Sequence, residues 1–169
     1  MRVSDDVNKL IESAYLIAEE KHHEYLMPEH LLLAAINHTS AKSILRTCGG
    51  DLDYIEEKLK EHLEKHVPVV EDQGPAQSMG FNEVISRALF HTEASSAESL
   101  ESGDLLVSIF DTEKSYSSYF LRKSGITRYT LLSVIAEISR GGDPDEEDEE
   151  DDDPFNQDHM FDSAGGDPD

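Results

Sequence analysis

The stretch MPEHLLLAAIN, residues 27–37, decides how the whole chain is read. Pro28 suits the first position of a helix, where its missing N–H has no partner to lose. Glu29 behind it complements the positive end of the helix dipole. From Leu31 to Ile36 the residues run Leu, Leu, Leu, Ala, Ala, Ile, which leaves almost no polar face. A helix that is apolar all round has to be wrapped by other elements. The pattern returns as ESGDLLVSIFD, residues 101–111, with Leu105, Leu106, Val107, Ile109 and Phe110 in matching places. A buried helix found twice implies a domain built twice.

Around each copy the chain repeats the same order. Ser4 is an N-cap with Asp5 and Asp6 in the first turn. Val7, Leu10, Ile11, Ala14, Ile17 and Ala18 keep helical spacing to about Lys21. After the buried helix, Ser40 is expected to cap a short helix carrying Ala41, Ile44 and Leu45, and Gly49-Gly50 to stop it. A fourth helix, about 51–65, aligns Leu52, Ile55, Leu59 and Leu63 on one face and charges on the other. Residues 66–80 hold two Pro and two Gly without helical period and read as a linker. Phe81, Val84, Ile85, Ala88 and Leu89 then repeat Val7, Leu10, Ile11, Ala14 and Tyr15. Ile44-Leu45-Arg46 recurs as Phe120-Leu121-Arg122, Gly49 as Gly125, and Thr127 caps a last helix with Leu131, Leu132, Ile135 and Ile138. The expected fold is all-α: two four-helix repeats, 1–65 and 81–140, joined by 66–80. Each is too small to bury its own apolar faces, so they should pack as an eight-helix bundle about a pseudo-two-fold axis.

From 141 onward the sequence is acid of low complexity, and it is expected to be a disordered tail. The chain of 169 residues has a net charge of −23, and 14 of its 37 acids lie in residues 143–169, which hold no Lys or Arg. The island FNQDHMF, 155–161, reads as incidental apolar residues, with a docking motif as the sharper alternative. The first 142 residues keep a net negative charge and no basic stripe, which argues against nucleic acid as a partner. A single cysteine, Cys48, excludes an internal disulfide and fits a reducing compartment. No apolar run reaches the roughly 18 residues of a membrane span. The expectation is a cytoplasmic protein with no membrane partner.

No catalytic constellation is expected. No Gly-rich string is followed by Lys and Ser/Thr, so this chain should not hydrolyse a nucleotide. His62 and His66 stand at i, i+4, a spacing that can place two imidazoles on one metal. The string is HLEKH, without the glutamate that follows the first histidine in the zinc-protease motif, so they read as a solvated face near a helix end, and no metal is expected. His22, His23 and His30 form a second cluster, in which His30 reads as a satisfied buried histidine. Cys48 reads as a buried thiol before the Gly-Gly stop.

PEHLLLAAI with the preceding HHEYLM, RALFHTEASS in the second unit, and YFLRKSGITR together resemble the double Clp N-terminal repeat over residues 1–140. Within that family the RALFH and FLRK strings resemble the ClpA type more than ClpC or ClpB. The resemblance implies an N-terminal docking domain of an AAA+ unfoldase that binds the adaptor ClpS and protein substrates. ClpP would be reached through the parent ATPase, and ATP would be needed only in modules outside this chain. It implies an adaptor face with Glu24 and Glu29 flanking the start of the buried helix, and Arg87 and His91 on the RALFH helix. Each of these is also the kind of charge any solvated surface carries. Where relatives often have a second base one turn before Arg87, this chain has Glu83. A stand-alone regulator that binds a Clp ring is the alternative reading.

Overall fold

The computed structural model describes residues 2–141. The expected disorder of the acidic tail from residue 142 on, and any role of its 155–161 island, lie outside the described residues. Ser4 caps α1 (Asp5–Glu20), its Oγ accepting from the Val7 N–H at 3.2 Å. The buried helix is α2 (Pro28–Ala35), and every one of its residues is buried. It is followed by α3 (Thr39–Thr47) and α4 (Leu52–His66), the latter capped by Asp51. The second half supplies α5 (Met79–Ala94), α6 (Ser102–Asp111), α7 (Tyr116–Lys123) and α8 (Arg128–Ser139). Thr127 caps α8 by accepting from the Thr130 N–H.

Four two-residue strands tie the halves together: β1 (Arg2–Val3), β2 (Tyr25–Leu26), β3 (Ala76–Gln77) and β4 (Ser99–Leu100). β1 pairs in parallel with β4, Arg2 opposite Ser99, and β2 pairs in parallel with β3, Tyr25 opposite Ala76. Each ladder therefore joins the strand before the first helix of one half to the strand before the buried helix of the other. A two-fold rotation exchanges the ladders, and the repeat is a symmetry in space as well as in sequence. Two pairs of left-handed residues obey it too: His22 and Ser96 lie at φ 59° and 61°, Gly49 and Gly125 at 85° and 105°. The turns holding the two glycines meet near the axis, where the Asp51 N–H donates to the Ser124 carbonyl.

α1 packs on α2 and α5 on α6, while α3 and α7 each cross to the opposite half. Leu10, Leu31, Leu32, Leu45, Leu105, Leu106, Ile109 and Phe110 are fully buried at the centre. Burying one such side chain is worth about 1.5–3 kcal/mol, so neither half keeps that stabilisation alone.

Three expectations change in detail. α3 begins at Thr39 with His38 in the cap position, so Ser40 lies inside the helix and its hydroxyl turns to Asp6 and Ser102. Residues 66–80 are not bare linker: β3 lies in them, Val69 bridges His23, and α5 starts at Met79, ahead of the expected Phe81. Leu132 is partly exposed; of the α8 residues only Leu131 is fully buried.

Candidate docking site

The buried helix α2 delivers its first turn to a groove of about 660 Å³. Its floor is Met27, Pro28 and Glu29, one wall is His62 and His66 from α4 with Tyr116 from α7, and the other is Met79 and Glu83 from α5. The imidazole of His62 lies 4.4 Å from the Tyr116 ring, centroid to centroid, and 4.7 Å from that of His66. Spacing i, i+4 put both histidines on one face, and the aromatic partner came from the other repeat. Burial holds the His62 pKa below the usual imidazole value; the Glu29 carboxylate opposes that shift and His66 adds to it. Met79 is 88% exposed at the lip. The rim carries charge: Glu83 accepts from Arg87 at 3.0 Å and stands 3.8 Å from Lys114. Arg87 also donates to Thr112 Oγ1.

The residues expected on an adaptor face do not all meet. Glu29 and Glu83 line this groove, and Arg87 stands at its rim through Glu83. Glu29 is not an outward charge. It is 2% exposed, and its Oε2 accepts from the Ser117 N–H at 2.8 Å and the Ser117 hydroxyl at 3.1 Å. Ser117 lies in the first turn of α7, so a carboxylate from one repeat satisfies the donors at a helix start in the other. Glu24 is partly exposed in the turn before β2, tied by its backbone to Pro68 and Ala76, and is not part of the groove. His91 is exposed further along α5, edge-on to Phe90, and lines a separate cavity of about 220 Å³. Glu83 neutralises Arg87 locally.

Sequence reasoning missed His62, His66, Tyr116 and Met79 as one surface. The histidine spacing was the only signal, because nothing local marks a contact between residues 62 and 116. His30 is the satisfied core histidine expected. Its Nδ1 accepts from the Met27 N–H at 2.9 Å, which leaves the proton on Nε2, donated to His23 Nδ1 at 2.8 Å. Burial, with His23 beside it, pushes its pKa down to about 3. Burial pushes the Cys48 thiol up to about 11, so it is no nucleophile at neutral pH. Among the described residues no group of three or more His, Cys, Asp or Glu is arranged to hold a metal. None of their helices is long and apolar enough to cross a membrane.

The profile of the Clp repeat (R) N-terminal domain matches residues 2–124, most of the doubled bundle. The chain belongs to the Clp N-terminal repeat family. A ClpA homolog protein from Fuscovulum blasticum is 30% identical over 137 residues, covering 79% of this chain and 17% of that relative. The chain thus spans less than a fifth of the length of the curated relatives it matches. The N-terminal domain of Hsp104 from Candida albicans superposes with a TM-score of 0.71 at 18% identity, covering 86% of this chain and 96% of that one. The N-domain of ClpV in a complex with a VipB peptide superposes at 0.67 and 18% identity, over 81% and 86% of the two chains. At such identities the superpositions establish the shared fold, and the Clp N-domain architecture is that of this chain.

Proposed function

We propose that this Clp N-domain is the docking module of a ClpA-type AAA+ unfoldase, binding the adaptor ClpS and segments of protein substrates. It contributes capture and local concentration; ATP hydrolysis and delivery to ClpP belong to modules outside the chain. The observation that carries the reading is the groove at the start of α2. It combines exposed Met79 and Tyr116, adaptable and aromatic contact surface, with the Glu83–Arg87–Lys114 charges at its rim. The ClpA homolog at 30% identity and the ClpV relative with a bound peptide support it. A soluble cytoplasmic parent fits the same reading.

Calorimetry with the cognate ClpS tests it. The expected affinity is micromolar or tighter, weakened about tenfold by Arg87→Glu, which sets two acids side by side and leaves Lys114 as the rim's remaining base. Met79→Ala is expected to weaken uptake of an apolar substrate peptide. Unchanged binding of both ligands by both variants would remove the groove from the reading.

A further inference from the structure

The pseudo-two-fold axis gives the groove a twin with inverted chemistry. The twin, about 800 Å³, lies where α6 begins, against the first turn of α3 and the end of α8. The first groove sits equivalently at the start of α2, against the first turn of α7 and the end of α4. Position by position the linings differ: Met27 becomes Glu101, Glu29 becomes Gly103, Tyr116 becomes Ser40 and His62 becomes Ile138. Loss of the phenol ring and the glutamate side chain opens the space. A Cβ at Gly103 would meet Ile135 at 3.1–3.2 Å, so Ile135 takes part of the room that Glu29 fills in the other half.

Three carboxylates, Asp6, Glu101 and Asp104, line the twin, and no Lys, Arg or His does. They are oriented by neutral donors: Asp6 by the Ser40 hydroxyl, Glu101 by the Ser99 hydroxyl, Asp104 by the Glu101 N–H. Outside the groove, His38 stands 3.8 Å from Asp6, and His91 and Arg128 share the smaller 220 Å³ cavity with Asp104. Burial, reinforced by Glu101, raises the Asp104 pKa against the Glu101 N–H, as for a carboxylate without a counter-charge. Independently, Ser43 on α3 lines the groove at 7% exposure with an Oγ that has no hydrogen-bond partner. A serine inside a helix normally bonds back to a carbonyl one turn earlier or to solvent, and this one does neither. Beside it Ile44, Ile135 and Ile138 form an apolar wall.

We propose that this second groove docks a lysine-bearing segment of a protein partner. The methylene stem lies along the isoleucines, the ammonium is held by the carboxylates, and Ser43 Oγ supplies a further acceptor. A compact ammonium with three rotatable donors suits acceptors arranged around a pocket better than a planar fork does. The two grooves thereby divide the labour, one taking apolar and mixed-charge contacts and the other basic ones. This surface stands apart from the adaptor reading, whose binding is measured separately.

The test is a titration of the full isotope-labelled chain with an alternating Ala-Lys hexapeptide and its Ala-Glu counterpart, followed by backbone NMR shifts. The Lys peptide is expected to move the resonances of Ser43, Gly103 and Ile135 saturably, and the Glu peptide to leave them in place. Asp6→Asn with Asp104→Asn is expected to weaken binding about tenfold, and Ser43→Ala about threefold. The matched charge loss Glu12→Gln with Glu19→Gln should bind as the unaltered chain does, and far-UV dichroism checks that each variant is folded. Shifts confined to the acidic residues after 142 or to the first groove would overturn the proposal. Equal response to both peptides, equal weakening by the control pair, or no saturable response would do the same.

Discussion

Replacing Glu29 by alanine tests the contact that locks the two repeats together. Its carboxylate holds two donors of Ser117, at 2.8 and 3.1 Å, and Ser117 is fully buried. A hydrogen bond to a charged group contributes about 1.5–3 kcal/mol, and a buried donor left alone costs a similar amount. Both bonds end on one oxygen, so the second counts for less, and the expected loss is about 3–4 kcal/mol. That is a large part of the 5–15 kcal/mol typical of a whole domain. It corresponds to a fall in Tm of about 10–15 °C at this size. Urea unfolding followed by helix dichroism measures it directly. Glu29→Gln keeps one acceptor and should lose only about 1 kcal/mol. A cycle of Glu29→Ala with Ser117→Ala should show coupling of about 1–2 kcal/mol, because Ser117→Ala removes one of the carboxylate's two donors and Glu29→Ala leaves that hydroxyl without its acceptor. A loss below about 1 kcal/mol for Glu29→Ala, with no coupling, would refute the role of this carboxylate as the anchor of α7.

Three further outcomes follow from the same geometry. The His30 pKa is about 3 in the fold against about 6.5 unfolded, so the unfolded chain binds the extra proton. Stability should therefore fall as pH drops, by about 2 kcal/mol between pH 6.5 and 4.5, and urea midpoints of His30→Gln should be flatter over that window. Gly49 has φ 85° with open space around its Cα, so Gly49→Ala meets backbone strain without a clash. It should destabilise by about 1 kcal/mol, and Gly49→Asn by less, in the same unfolding assay. Cys48, buried with its thiol pKa raised to about 11, should react slowly with a disulfide reagent when folded and rapidly in denaturant, a difference read by absorbance.

Much of the fold was legible because the repeat is written in local patterns. Ser4 and Thr127 cap where their side chains dictate. Gly49 and Gly125 end their helices in the left-handed region, and the apolar runs of α2 and α6 mark them as buried. The cap of α3 was misplaced by two residues, from His38 to Ser40, whose hydroxyl turns to a longer-range partner, Asp6, rather than to its own helix start. The strands of two residues carry no periodicity and exist through their partners in the other half.

The site was less legible. Glu29 looked like a helix-start surface acid, since sequence records its place on α2 but not the α7 donors above it. His62 and His66 were visible as a pair, yet only the fold brings Tyr116 to them.

The sequence by itself determined that eight helices would form, where most begin and end, and that two of them must lie at the centre. Those facts depend on interactions a few residues apart, repeated in two copies. Tertiary structure decided which charges turn inward and what chemistry each of the two equivalent grooves presents. That depends on pairs such as 29 with 117, separated by most of a repeat or more, whose meeting is fixed only when the two halves close on each other.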